Sequence, residues 1–152
     1  MARTTFETLK VFFLPAVASL AAPTQAELTA GDDLSAEIPV DGVEKGGSAN
    51  NASQAMLGDA FVAEEPGTWG RTLTITFMRD TAGVAWASFG YRTDGFLLFA
   101  PDGLTGAGAE VEVWPVTSHE RQPTPSAENE YQKFTVTFAV TTAPELDAVM
   151  AA

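Results

Sequence analysis

Two stretches of strict alternation constrain this chain more than any other feature. In Arg71-Thr72-Leu73-Thr74-Ile75-Thr76-Phe77-Met78, Leu73, Ile75 and Phe77 fall on one side and Thr72, Thr74 and Thr76 on the other. Residues 131–141 repeat the pattern, with Phe134, Val136, Phe138 and Val140 against Thr135, Thr137, Ala139 and Thr141. Successive side chains of a strand point to opposite faces, and a period of two sustained this long fits no helix. The residues are also good strand formers. A chain with two such strands must bury one apolar face, so Leu73, Ile75, Phe77, Phe134, Val136 and Phe138 are predicted core. The other face carries short neutral hydroxyls where Lys and Glu commonly stand. One reading is an ordinary solvated sheet face. The other is a face packed against a second subunit, or a wall past which something slides. The pattern alone leaves both open.

Shorter signals fill in the rest. Leu9-Lys10-Val11-Phe12-Phe13-Leu14 reads as a first strand, stopped by Pro15. Thr24 is placed to cap a short helical turn with Glu27 three residues on, and Gly31 ends it. Residues 33–38 read as a second short strand. Residues 41–53 contain Gly42, Gly46, Gly47, Ser48, Asn50, Asn51 and Ser53 and keep no apolar period, so they read as a long loop. Opened as a hairpin, that loop would reach roughly 20 Å, far enough to touch a neighbouring molecule. Phe61 and Val62 suggest a strand before Pro66-Gly67. Ala82, Ala85, Trp86 and Phe89 recur at helical spacing, with Asp80 as N-cap and Gly90 as stop, which adds Trp86 to the predicted core. Thr93-Asp94-Gly95 and Pro101-Asp102-Gly103 read as turns. Phe96-Leu97-Leu98-Phe99 reads as a strand buried on both faces, and Glu110-Val111-Glu112-Val113-Trp114 as an alternating one. Residues 118–130 form a second polar loop with Pro123 and Pro125, and residues 145–152 a tail of weak helical character. The whole reads as one mainly β domain, a β-sandwich or partial barrel with one short flanking helix.

Composition narrows the function. The 152 residues hold 8 Lys and Arg against 20 Asp and Glu, a formal charge of −12. Such a chain repels phosphate, which argues against direct nucleic-acid binding and against docking on an anionic membrane. There is no Cys, which excludes disulfides and thiol chemistry, and a single His, His119, in a polar loop beside Glu120 and Arg121. A Ser-His-Asp triad needs an oriented base, and a solvated loop His is the simpler reading. Neither Gly46-Gly47 nor Gly103-Leu104-Thr105-Gly106 makes a phosphate loop. Carboxylates pair at Asp32-Asp33, Glu64-Glu65 and Glu110 with Glu112. The first pair diverges on a strand, and the last reads as a solvated face. Asp32, Asp33 and Asp41 lack the spacing of a calcium loop. No catalytic constellation, metal or cofactor is expected. Arg3 and Lys10 before the apolar run 11–22 imitate a secretory signal ending near Thr24-Gln25-Ala26, but Glu7 and Pro15 interrupt the pattern. The run is also shorter than a membrane span.

The order of segments resembles the major tail tube protein of long-tailed siphophages, especially the type found in phages of actinobacteria. The matching pieces are Leu9-Lys10-Val11-Phe12-Phe13-Leu14-Pro15, Ala22-Pro23-Thr24-Gln25-Ala26-Glu27-Leu28, Ala30-Gly31-Asp32-Asp33-Leu34, Trp69-Gly70, Phe77-Met78-Arg79-Asp80 and Asp94-Gly95-Phe96-Leu97. Near the end come Val111-Glu112-Val113-Trp114-Pro115-Val116, Gln132-Lys133-Phe134-Thr135-Val136 and Val140-Thr141-Thr142-Ala143-Pro144. They span nearly the whole chain in order. Gly83 departs from the pattern, where a more polar helix start is expected. The resemblance implies a subunit that closes into hexameric rings, with strands joined in one inner barrel, and stacks into a tube through which DNA leaves the capsid. It implies as partners further copies of the chain, a tape-measure protein, and terminator and distal tail proteins. On that basis Thr72, Thr74, Thr76, Thr135, Thr137 and Thr141 are expected to face the bore. Gly46, Gly47, Asn50 and Asn51 are expected in a loop reaching the next ring. The alternatives are a secreted β-sandwich binding domain, and another phage structural part such as a capsid decoration protein or a baseplate tube ring.

Overall fold

The structure is a computed structural model and describes residues 9–151 except 40, 59, 82, 104–106 and 126. Its elements are β1 (Lys10–Leu14), α1 (Gln25–Ala30), β2 (Asp32–Asp33), a 3-10 turn (Ser35–Glu37), β3 (Val43–Ser53), β4 (Glu64–Met78), α2 (Ala85–Ser88), β5 (Asp94–Ala100), β6 (Glu110–Ser118), β7 (Gln122–Thr124), β8 (Lys133–Val140) and β9 (Glu145–Val149). Among the described residues the strands form one antiparallel sheet in the order β2-β1-β5-β6-β8-β4-β3, with β7 added to β8 and β9 to β6. The mainly β expectation holds, in the form of a partial barrel: one sheet, curled and not closed. The curl is visible at Lys45 on β3. Its ammonium reaches Glu112 of β6 at 3.0 Å across the intervening β8 and β4, and it sits 3.9 Å from the Phe99 ring centre on β5. The two alternating strands pair with each other, Leu73 opposite Phe138, Ile75 opposite Val136 and Phe77 opposite Phe134.

That register places the apolar side chains of both strands in one core inside the curl, with Val11, Phe13, Leu97, Phe99, Trp114 and Val116. Phe89 plugs it. Its ring meets Phe13 edge-on at 4.9 Å, stacks on Phe77 at 5.4 Å and meets Phe138 edge-on at 5.1 Å. Such aromatic pairs add about 0.5–1.5 kcal/mol each beyond area burial. A second core lies on the opposite side of the β1-β5-β6 portion, where Leu14, Leu98, Val111 and Val113 meet Leu28 of α1 and Ala148 and Met150 at the chain's end. β5 therefore contributes to both cores, as its unbroken apolar run requires. The first part of the segment that imitates a signal peptide lies inside the sheet, since β1 pairs with β5 along its full length. Arg3 and Glu7 of that pattern lie outside the described residues. α1 forms as its cap signal indicates: Thr24 Oγ1 accepts from the Glu27 amide at 3.2 Å, and Gly31 closes the helix.

Several boundaries differ from the sequence reading. Of residues 33–38 only Asp33 is in a strand, as the end of β2. Asp33 Oδ1 accepts the Ser35 amide and Ser35 Oγ accepts the Val11 amide, both at 2.9 Å, and these local bonds turn the chain after β2. Phe61 and Val62 belong to no strand; both are exposed just before β4. The helix around Trp86 shrinks to α2, and Ala82 lies outside the described residues. Asp80 is not its cap. Val84 holds that position without a side-chain bond, and the carboxylate of distant Glu37 accepts the Val84 and Ala85 amides, each at 3.3 Å. Trp86 is half-buried at the rim of the core and not inside it. β5 begins at Asp94, so it takes in Asp94 and Gly95, which the sequence reading gave to a turn. The 118–130 loop contains β7, and Pro123 is tolerated because β7 lies off the main strand path. The tail is not helical: β9 pairs with β6. Glu112 leaves the solvated face and joins Lys45. Residues 104–106, read within a turn, lie outside the described residues.

Candidate assembly surfaces

The threonine faces of the two alternating strands are one surface. β4 and β8 pair Thr72 with Ala139, Thr74 with Thr137 and Thr76 with Thr135, so these side chains alternate across two adjacent strands. The Thr76 and Thr135 hydroxyls lie 3.4 Å apart. β3 extends the surface at Glu44 and Gly46, opposite Thr74 and Thr72. A Cβ at Gly46 would stand 2.6 Å from Thr72 Oγ1, so a glycine there leaves room for the hydroxyl. β6 extends it on the other side at Thr117, opposite Ala139. The Thr117 hydroxyl donates to Asp94 at 2.6 Å. Thr141 lies one residue beyond β8, exposed, with its amide bonded to Pro115 O at 3.1 Å. The charges fall at the margins: Glu44 on β3, Asp94 on β5 and Lys133 at the start of β8. The same side of the sheet is covered elsewhere by α1 and β9, but the threonine area is open. Thr72 and Thr137 are exposed, and Thr74, Thr76 and Thr135 partly so.

The second surface is an arm. The expected 41–53 loop is mostly strand β3, paired with β4 from Val43 opposite Ile75 to Ser53 opposite Glu64. β4 meets β8 only from Thr72 onward. Residues 64–71 therefore have β3 as their partner, a two-stranded ribbon of roughly 26 Å. Gly46 sits where the ribbon leaves the sheet. Gly47, Asn50 and Asn51 lie along it, with a bulge between Ala49 and Asn51. Asn50 Nδ2 donates to Thr68 Oγ1 at 3.2 Å and Asn51 Nδ2 to Glu64 Oε2 at 3.0 Å. Every described residue of the ribbon beyond Gly46 is exposed. Its far end presents Met56 at 64%, Leu57 at 108% and Phe61 at 81% exposure, and Trp69 stands out along the way. An isolated two-stranded hairpin is marginal in water, and large apolar side chains bunched on a projection mark a contact surface.

Sequence reasoning missed the arm because its signal is absent, not hidden. With both faces in solvent, no alternation is imposed, and Gly, Ser and Asn occupy positions that a half-buried strand would give to Val or Thr.

The neighbouring carboxylate pairs aside, the residues weighed from sequence for catalysis or metal binding lie apart from one another. His119 is exposed and its amide bonds Thr137 O at 2.9 Å. Asp32 accepts the Ser88 hydroxyl and Asp33 caps the turn after β2. Asp41 is exposed at the start of β3. Among the described residues no three His, Asp or Glu side chains gather as a metal site would require. No described helix is long and apolar enough to cross a membrane.

Comparison with known families gives a match to the family described as phage tail tube protein, over residues 1–152. No curated protein matches the chain. An open sheet with a neutral hydroxyl face and a projecting ribbon is in keeping with a part that works by assembling. On a family match along its whole length, the chain belongs to the phage tail tube proteins.

Proposed function

We propose that this structural subunit of the virion tail closes into rings of six, that the rings stack into a tube, and that the threonine face lines the bore through which DNA passes. The observation that supports this reading is the uncovered face of Thr72, Thr74, Thr76, Thr135 and Thr137, whose centre holds no cation. Phosphate is gripped by Lys and Arg. A wall of short hydroxyls in a subunit of charge −12 offers DNA nothing to hold and a net field that repels it. Ring closure also answers a problem of the free subunit. β3 and β2 end the sheet, and open edges invite uncontrolled pairing. Neighbouring copies that pair at these edges would continue the sheet around the ring and remove them. The arm reaches the adjacent ring, taking the role expected of the 41–53 loop. Tape-measure protein inside the tube during assembly, and terminator and distal tail proteins at its ends, complete the set of partners.

A lysine at the centre of the face tests the bore assignment. Thr74→Lys and Thr137→Lys are expected to leave subunit folding and tube assembly intact and to slow or block DNA delivery, measured as infectivity and ejection rate of phage carrying each variant. Wild-type infectivity in both would remove the bore assignment.

A further inference from the structure

Cations are scarce in this chain, eight in all, yet three gather at one place. Arg79 follows the end of β4, Arg121 precedes β7 and Lys133 opens β8. The Arg79 and Arg121 guanidiniums lie 3.9 and 4.2 Å from the Trp86 ring centre. Arg121 also donates to the Trp86 carbonyl. Trp86 in turn stands edge-on to Phe134 at 5.0 Å, which fixes it to the core. Arg79, Trp86, Pro123, Pro125 and Lys133 line an open groove of about 390 Å³. The ion pairs among the described residues are Lys45–Glu112 and a long Arg121–Glu120 contact at 3.8 Å. Arg79 and Lys133 enter neither. Asp80 and Glu120 flank the groove and leave it net cationic, in a chain whose net charge is −12. An open groove lined by Arg79 and Lys133 beside the Trp86 ring has the charge and shape to receive an anion from outside.

The geometry of β4 identifies the source. Glu64 and Glu65 open that strand at the far end of the arm, and Arg79 follows its other end. Some 14 residues of extended chain, roughly 45 Å, separate them, so an arm cannot fold back into its own groove. Both carboxylates are exposed, and Glu64 spends one oxygen on Asn51. We propose that the groove of Arg79, Trp86 and Lys133 receives Glu64 and Glu65 from the arm of a second copy, with Phe61 of that arm against Trp86, Pro123 and Pro125. A contact between opposite ends of identical subunits is heterologous and repeats without limit, which is what stacking requires. It rests on the arm being an inter-subunit contact and supplies its receptor. Phosphate is the other anion of this chemistry, and the acidic subunit as a whole disfavours it.

Charge exchange in the full chain tests this, read as the critical concentration for tube formation by sedimentation and negative-stain microscopy. Lys133→Glu, which leaves the Trp86 stack untouched, and Arg79→Glu are each expected to raise that concentration about tenfold or more. Glu64→Lys with Glu65→Lys should do the same. Combining the arm reversal with the groove reversal should recover most of the loss, an outcome that mere damage to folding does not produce. A fifth variant, with residues 54–63 replaced by a two-residue turn, tests the tip of the arm alone. If shortening abolishes assembly but the reversals change nothing, or the combination assembles no better than the worse parent, the groove assignment is overturned and the arm contact stands. If the shortened chain assembles like the wild type and the reversals change nothing, both fall. Reversals that leave assembly intact but alter retention of DNA would assign the groove to phosphate, and overturn the proposal.

Discussion

Gly83 shows what a single position can conceal. From sequence it is a poor residue for a helix start, and the match to the family pattern breaks there. In the fold, a Cβ at Gly83 would lie 2.0 Å from Glu37 Oε1. Glu37 is only 8% exposed and is held by the two amides it caps, so it has nowhere to go. The glycine makes room for a cap delivered from 46 residues away, a long-range demand that no local propensity carries. Glu37→Ala leaves two amides of α2 without that partner and is expected to cost about 1–3 kcal/mol in chemical denaturation. Gly83→Ala should be comparably harmful alone, yet add little once Glu37 is alanine, because the obstructing carboxylate is gone. Strict additivity of the two would refute the steric explanation. Trp86 was similarly half legible: helical spacing predicted burial, but its ring ends at the rim, under two guanidiniums, because α2 is a single short turn.

At the scale of elements, legibility followed burial on one face. β4 and β8 alternate because one side meets the core and the other does not, and their period of two fixes both the strands and their threonine face. β5 announced itself as an apolar run because both sides are covered. The arm has no covered side, so its half of β4 and nearly all of β3 looked like loop. β9 was unreadable for a different reason: five residues with one buried position, Ala148, contain too little pattern to separate strand from helix. A ribbon exposed on both faces should open often in the free subunit. Backbone amides of residues 47–53 and 64–71 are expected to exchange hydrogen far faster than those of β5 and β8 in free subunits, and to become protected on assembly. Protection already present in the isolated subunit would mean that the arm holds its shape without a neighbour.

The whole molecule divides its charge in a way that suits a tube. Acidic residues dominate, the centre of one broad face is neutral, and three of the few cations sit at the opposite end of β4 from the arm's glutamates. A fold of this kind, open at both sheet edges and carrying exposed apolar side chains on its arm, has obvious places for neighbours. The sequence conveyed the mainly β class and the threonine surface. It left open whether the strands form a sandwich or a partial barrel and could not convey that one strand links arm and groove, since both depend on the pairing order of distant segments. The central claim is that the threonine face lines a bore. The most direct measurement is a cryo-electron microscopy reconstruction of tubes assembled from the full-length chain. The expected result is a hollow tube of stacked rings in which Thr72, Thr74, Thr76, Thr135 and Thr137 form the inner wall, with no Lys or Arg among them. A tube with that face on its outer surface, or buried between subunits, would contradict it.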